Sequence, residues 1–165
     1  MDVKKLKWCC KQKQGIKIIK SNDNLAREYL KSAEETLSVL RNINNKSNMW
    51  LATTKYYCEY FSIYALLQKI GIKCEIHDCV VEVAKLLEEI KIIPNNYSKK
   101  LEDDKDLRID NQYYLKNRTV NINIRELSEF VLTIKNKVNS ITLNEINKAR
   151  NEIEERINEF KNSEP

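Results

Sequence analysis

One short segment of the chain carries residues that could bind a phosphate and a base. Arg108 has a permanent positive charge, and Tyr113 and Tyr114 follow it closely. An arginine can hold a phosphate, and aromatic rings stack on bases in proteins that bind single strands. Two polar residues lie between them: Asp110 and Asn111. A structural interpretation stays open, in which Arg108 pairs with an aspartate one turn earlier, at position 104, and the tyrosines pack in the core.

The chain has a single histidine, His77, and histidine is the side chain that titrates near neutral pH. It could carry a proton for Arg108 only if the fold brings the two residues together. A lone histidine can equally be a packing or capping residue. The sequence has no glycine-rich phosphate loop, and we expect no bound cofactor.

Cysteines lie on both sides of this histidine, at Cys74 and Cys79. With Cys9 or Cys10 they would supply ligand types that zinc accepts, but the spacing matches no familiar zinc finger. A disulfide of Cys9 with Cys74 or Cys79 is a further alternative. Because five cysteines are an odd number and no secretion signal is present, we expect free thiols and no bound metal.

Six helices are predicted to position these residues, because apolar side chains recur at helical spacing in six stretches. The stretches are residues 25–40, 49–70, 76–91, 98–116, 123–138 and 142–160, the last opening with a capping box of Thr142 and Glu145. His77 begins the third helix and Arg108 lies on the fourth, where Tyr114 and Leu115 are candidate core positions. The predicted fold class is all-α, an antiparallel up-and-down bundle of about five to six helices.

The second helix is unusually rich in aromatic residues, which spread over more of its circumference than one buried face: Trp50, Tyr56, Tyr57, Tyr60 and Tyr64. Such a helix lies centrally in a bundle or at a subunit interface. We therefore expect a homodimer.

The net charge of +5 is placed unevenly along the chain. Residues 1–20 hold seven lysines and one aspartate, so the other 145 residues are close to neutral. The apolar residues of this basic N-terminal arm, residues 1–20, show no clean period. A single domain is predicted for residues 21–165, and the arm could pack on it as an extended segment through Trp8. It could bind phosphates or acidic partners, or it could be a solvated tail.

No apolar run in the sequence reaches the roughly 18 residues that a membrane helix needs. Lysines interrupt the apolar residues near the N-terminus, so a signal peptide is not indicated. We expect a cytoplasmic protein that does not contact a membrane.

Three strings of the sequence, in order, resemble the HEPN (higher eukaryote and prokaryote nucleotide-binding) domains. They are NLAREYLKSAEETL at 24–37, KYYCEYFSIYALLQKIGIKCEIHDC at 55–79 and LRIDNQYY at 107–114. The middle string is the most specific, since an aromatic helix ending in Leu-Leu-Gln, then Gly and a following His is a recurrent HEPN pattern. The Trp8-Cys9 pair is similar to the start of an uncharacterised prokaryotic branch of the family.

The resemblance implies a dimeric bundle of four or five helices with its site at the dimer cleft, near the start of the fourth helix. Many HEPN proteins are metal-independent ribonucleases that use an Arg, a polar residue behind it and then a His. Here Arg108 matches the arginine, but Tyr113 occupies the histidine position. Because tyrosine titrates near pH 10, Tyr113 is a poor general base.

The expected function is therefore that of a non-catalytic HEPN-type module, a homodimer that binds nucleotide, RNA or a nucleotidyltransferase partner. It has no predicted catalytic residue and no metal ligand, and its binding candidates are Arg108, Asp110, Asn111, Tyr113, Tyr114 and His77. One alternative is a toxin-like HEPN ribonuclease whose acid or base group is displaced. The other is a plain protein-interaction bundle.

Overall fold

The structure is a computed structural model that describes residues 3–43 and 47–162. Within these ranges the chain forms α1 (Val3–Lys11), β1 (Lys17–Ile18), α2 (Asp23–Asn42), α3 (Asn48–Ile70), β2 (Ile72–Lys73), α4 (His77–Glu89), α5 (Tyr97–Gln112), α6 (Ile124–Ser140) and α7 (Leu143–Asn162). The all-α prediction is confirmed. The outermost residues of the predicted arm and domain, 1–2 and 163–165, lie outside the described residues.

The six helices predicted from periodicity correspond to α2 through α7, and local signals fix several of their ends. The side chain of Asn22 caps α2 by accepting a hydrogen bond of 2.9 Å from the Leu25 backbone amide. Gly71 ends α3 in the left-handed conformation, with φ of +87°. The predicted capping box is present, since Glu145 accepts a 2.9 Å hydrogen bond from the Thr142 backbone amide. None of the described helices is long and apolar enough to span a membrane.

Helix α3 lies at the centre of the bundle. It packs against α2, α5 and α6, and none of its residues from 51 to 70 is fully exposed. Tyr56, Tyr60 and Tyr64 are buried within the chain itself. The aromatic surface from which a dimer was expected is therefore largely covered by other helices of the same chain.

The N-terminal segment forms a helix and a strand where the sequence showed no clean period. Leu6, Cys9 and Cys10 of α1 join the main core, while β1 pairs antiparallel with β2, Lys17 opposite Lys73. The interpretation of this segment as a solvated tail is wrong for residues 3–18, because one face of α1 is buried.

The cysteines also differ from the expectation of five thiols. Packing of α1 on α4 brings the Cα atoms of Cys9 and Cys79 to 5.5 Å, and a disulfide joins them. Cys10, Cys58 and Cys74 are buried and form no disulfide. The residues described hold no cluster of three or more His, Cys, Asp or Glu placed to bind a metal.

Helix α5 ends earlier than the sequence predicted. Its last residue is Gln112, after which Leu115 and Asn117 adopt positive φ angles of 51° and 48°. Tyr114 and Leu115, predicted as core positions, are 66% and 74% exposed. Both predictions are wrong because the chain turns away from the bundle at this point.

Candidate functional site

A half-open cavity of about 410 Å³ lies between the start of α4 and the end of α5. Its lining includes four of the six residues predicted from the sequence: His77, Arg108, Tyr113 and Tyr114. The other lining residues are Ile76, Asp78, Lys105 and Ile109. The fold thus brings the single histidine and the candidate arginine to one cavity, although they lie on different helices.

Arg108 is the centre of this site. It is only 5% exposed, and its guanidinium carbon lies 4.9 Å from the ring centroid of Tyr56, 5.6 Å from that of Tyr57 and 5.5 Å from that of Tyr113. Aromatic faces attract cations in this range. Three rings therefore surround one buried positive charge.

The polar contacts of Arg108 leave this charge without a counter-ion in the described part of the chain. Its Nη1 donates a hydrogen bond of 3.3 Å to the side-chain oxygen of Gln112, while Nε is buried without a hydrogen-bond partner. Among residues 3–43 and 47–162, no carboxylate forms an ion pair with it. The predicted structural partner, Asp104, instead binds Lys55 at 2.8 Å. An anionic ligand could supply the missing negative charge.

His77, the first residue of α4, lies within hydrogen-bond distance of a buried tyrosine. Its Nδ1 is 2.5 Å from the hydroxyl oxygen of Tyr56, and its ring centroid is 4.6 Å from that of Tyr60. Burial, and then the positive charge of Arg108, lowers the pKa of His77 below its ordinary value of 6.5. The histidine is therefore neutral at pH 7.

The tyrosine determines which nitrogen of this neutral ring carries the proton. Burial raises the pKa of Tyr56, so its hydroxyl stays protonated. No other acceptor among the described residues takes this proton, and we therefore assign the hydroxyl as the donor to Nδ1 of His77. The remaining proton of the ring is then on Nε2, which becomes a hydrogen-bond donor.

A second buried cation, Lys105, lies one turn before Arg108 and is neutralised by Asp78. Lys5 of α1 also approaches Asp78, at 3.5 Å. Although burial opposes the effect, the hydrogen bond and charge of Lys105 and then those of Lys5 lower the pKa of Asp78. The aspartate remains ionised and holds α1, α4 and α5 together at the cavity edge.

Two exposed tyrosines form the rim of the cavity. Tyr113 and Tyr114 are 63% and 66% exposed, just after the last residue of α5. Tyr113 faces the guanidinium of Arg108, and the ammonium of Lys116 lies 5.3 Å from the Tyr114 ring centroid. Both residues line the cavity that a ligand would enter.

Asp110 and Asn111, the other two predicted residues, do not line the cavity. Asp110 pairs with Lys116 at 2.7 Å and with Arg118 at 2.6 Å. Asn111 donates to the Arg118 carbonyl and accepts from its backbone amide, at 3.1 and 2.5 Å. These two residues shape the turn that follows α5.

Sequence reasoning missed three polar residues of the site: Tyr56, Asp78 and Lys105. A signal for Lys105 was present, since it lies three residues before Arg108 and therefore on the same helix face. Tyr56 was grouped with the other aromatic residues that spread around its helix, and nothing local distinguishes it from them. Its role depends on the packing of α4.

A smaller cavity, of about 170 Å³, lies where α3, α5 and α6 meet. It is lined by Glu59, which is 3% exposed and leaves Oε2 without a hydrogen-bond partner, and by the Lys55–Asp104 ion pair. Burial, and then the charge and hydrogen bond of Asp104, raises the pKa of Glu59 well above 4.5. Glu59 therefore holds its proton more strongly than an ordinary glutamate does.

Comparison with known proteins adds no relative: no family model, no curated protein and no solved structure matches this chain.

Proposed function

We propose that this chain is a non-catalytic HEPN-type module, a homodimeric helical bundle that binds RNA or a nucleotide in the cavity between α4 and α5. A nucleotidyltransferase partner belongs to the same proposal, through the resemblance to the HEPN family. The observation that carries the binding function is Arg108, a buried cation without a carboxylate partner in the described part of the chain, lining a half-open cavity with an aromatic rim.

The charge of the site supports a phosphate as the group bound. Lys105 and Asp78 neutralise each other, and the guanidinium of Arg108 keeps its full charge beside the cavity. An arginine in this setting binds a phosphate through charge-assisted hydrogen bonds from its guanidinium group. The Nε2 proton of His77 provides a further donor.

The rim supports a base as the second part of the ligand. Tyr113 and Tyr114 are exposed and adjacent to the arginine, and stacking on aromatic rings contributes about 1–3 kcal/mol per base. A ligand that carries both a phosphate and a base uses the guanidinium and the rings together.

The test is binding of adenosine monophosphate and of a short, fluorescently labelled single-stranded RNA to wild type and to Arg108→Ala. We expect the variant to bind both about 10- to 100-fold more weakly, because a hydrogen-bonded charge contact is lost. Arg125→Ala is the matched control, since Arg125 is an exposed arginine on α6. Equal binding by wild type and Arg108→Ala, with both variants shown to be folded, would contradict the proposal and favour a plain protein-interaction bundle.

The second candidate function is metal-independent RNA cleavage, which is favoured by one observation: His77 and Arg108 line the same cavity. General-base catalysis needs an imidazole nitrogen with a free lone pair. With Tyr56 donating to Nδ1, the nitrogen left over carries a proton and cannot accept one. We therefore expect negligible cleavage with or without magnesium.

A cleavage assay of wild type, Arg108→Ala and His77→Ala separates the two functions. Robust cleavage that both substitutions abolish would identify a ribonuclease with His77 as its acid or base. Equal cleavage in all three samples would indicate a contaminating nuclease.

A further inference from the structure

Helix α1 carries lysines and a tryptophan on one outward face. Lys4, Lys7, Trp8 and Lys11 are spaced i, i+3, i+4 and i+7, which places them in one row along the helix; we name this row the α1 stripe. Lys4, Trp8 and Lys11 are exposed, with Trp8 at 46%, and Lys7 is half-buried. The opposite face, with Leu6 and Cys9, is buried in the core.

The α1 stripe is a fixed surface because α1 is fastened to the bundle. The Cys9–Cys79 disulfide joins α1 to α4. Beyond the helix, the Ile16 backbone amide donates a 3.2 Å hydrogen bond to the Cys9 carbonyl. Gly15 allows the chain to fold back this close to α1, since a Cβ atom at position 15 would collide with the Cys9 carbonyl oxygen. The side chains of the stripe are therefore presented on an ordered helix.

Helix α1 reaches the edge of the cavity that holds Arg108 through Lys5, which is the sequence neighbour of Lys4 in the α1 stripe. Lys5 pairs with Asp78, which lines the cavity, and Trp8 lies three residues further along α1, on the adjacent turn. From Lys4 to Lys11 the stripe is about 10 Å long, at 1.5 Å per residue. A chain-like ligand that leaves the cavity past Asp78 and Lys5 would reach helix α1.

The residues of the α1 stripe and its surroundings favour a polyanionic ligand that also carries aromatic groups. Residues 3–20 contain seven lysines and no acidic residue. Lysines along a helix attract successive phosphates, and an exposed tryptophan between them can stack on a base. The rim tyrosines of the cavity offer the same combination of ring and cation.

We propose that the ligand is single-stranded RNA of several nucleotides, which occupies the Arg108 cavity and continues along the α1 stripe with a base on Trp8. This proposal rests on the proposed function, and it names an oligonucleotide rather than a mononucleotide as the ligand class. It assigns binding roles to Lys4, Lys7, Trp8 and Lys11.

The first experiment measures binding of a single-stranded RNA and of adenosine monophosphate to Trp8→Ala. We expect about a 5- to 100-fold loss of RNA affinity, because one stacking contact is lost, and unchanged affinity for the mononucleotide. Trp8→Phe, which keeps an aromatic ring, should recover most of the RNA affinity. Trp50→Ala is the matched control, since Trp50 is 56% exposed on α3 and does not line the cavity.

The second experiment measures the salt dependence of RNA binding to a Lys4→Gln, Lys11→Gln double variant. The slope of log affinity against log salt should decrease by about 0.7 for each lysine that contacts a phosphate. A double variant of two exposed lysines on other helices, Lys31→Gln and Lys99→Gln, should keep the wild-type slope.

The outcomes separate this proposal from the proposed function. If Arg108→Ala weakens RNA binding while Trp8→Ala and the Lys4/Lys11 variant do not, the cavity binds RNA and the α1 stripe proposal is wrong. If the α1 variants weaken RNA binding while Arg108→Ala affects neither ligand, α1 binds RNA but the Arg108 cavity does not. RNA that binds no more tightly than the mononucleotide would also overturn the α1 stripe.

Discussion

The most informative residue of the site is His77, because its environment defines what the site can do. Its neighbours are a buried tyrosine, which donates to Nδ1, and the Arg108 guanidinium, which disfavours a second positive charge. Burial, and then this guanidinium charge, lowers the pKa of His77 and keeps the ring neutral at pH 7. A neutral ring with its proton on Nε2 is suited to donating a hydrogen bond to a phosphate oxygen.

We predict that the NMR titration of His77 has its midpoint below 6.5, and that Arg108→Gln moves it upward. The reason is that burial and then the guanidinium charge lower the pKa, and the substitution removes the second cause. The neutral form is favoured only in the folded state. His77 therefore contributes stability that is fully present above about pH 6.5 and is lost as the pH falls through the lowered pKa. Arg125→Gln should leave the titration unchanged, and a midpoint that does not move in Arg108→Gln would contradict this account.

A second residue-scale prediction concerns Glu59, whose pKa is raised by burial and by Asp104. The unfolded chain loses this proton near pH 4.5 while the folded chain holds it, so stability should decrease as the pH rises from about 4.5 to the folded-state pKa. Glu59→Gln should remove this decrease and stabilise the protein at pH 7 by about 1–2 kcal/mol. Denaturant unfolding at several pH values measures it.

The control for this measurement is Glu129→Gln, since Glu129 is an exposed carboxyl on α6 and its ion pair with Arg125 is exposed too. It should behave like wild type. A destabilised Glu59→Gln at pH 7 would show that the carboxyl is ionised and paired in the folded protein.

At the scale of elements, the polar helix α5 has the largest effect on the site. It buries Asp104, Lys105, Arg108 and Asn111 along one side. Asp104 lines the smaller cavity, Lys105 and Arg108 line the larger one, and Asn111 lies at the turn after the helix. Lys55 pairs with Asp104, and Asp78 pairs with Lys105. Part of the polar character of α5 is thus directed inward, where each of these charges except that of Arg108 has an ionic partner.

The attachment of α1 gives an element-scale prediction. The Cys9–Cys79 disulfide closes a loop with a sequence separation of 70, and loop-closure entropy predicts about 4 kcal/mol of stability for this length. We expect denaturant unfolding to show a loss of about 2–4 kcal/mol when reductant is added to wild type. A Cys9→Ser, Cys79→Ser double variant should be insensitive to reductant.

A thiol count provides an independent check of the same bond. Unreduced, denatured protein should show three reactive thiols, from Cys10, Cys58 and Cys74. Five would mean that the disulfide is absent and that the expectation of free thiols was correct.

At the scale of the whole molecule, the side chains that one chain leaves exposed decide which surface could form a dimer. The aromatic surface of α3 is covered within one chain, so it no longer argues for a dimer. What remains is the resemblance to HEPN domains and an exposed apolar run of Tyr113, Tyr114 and Leu115 beside the cavity.

We predict that wild type is a dimer by light scattering at micromolar concentration and that Leu115→Glu weakens the dimer at least about tenfold. A buried charge in an apolar contact costs more than the 1.4 kcal/mol that this factor represents. Leu143→Glu is the control, since Leu143 is 77% exposed at the start of α7 and Leu115 is 74% exposed. A monomeric wild type would contradict the prediction.

The sequence by itself determined α2 through α7, because helical periodicity, the Asn22 cap, Gly71 and the Thr142–Glu145 box act within a few residues of each helix. It also identified Arg108 and the rim tyrosines from their residue types. It did not predict α1, whose nine residues are too few to show a clear period before their buried face is known.

Only the tertiary structure decided what the site is. The distance between the helices that carry His77 and Arg108, the Tyr56 hydrogen bond and the Cys9–Cys79 disulfide all join residues far apart in the chain. Such contacts depend on how α1, α3, α4 and α5 pack together, and local sequence patterns carry no information about which faces of separate helices meet. The same packing explains why Asp104 binds Lys55 across helices instead of Arg108 along its own helix, leaving the guanidinium without a counter-ion in the described chain.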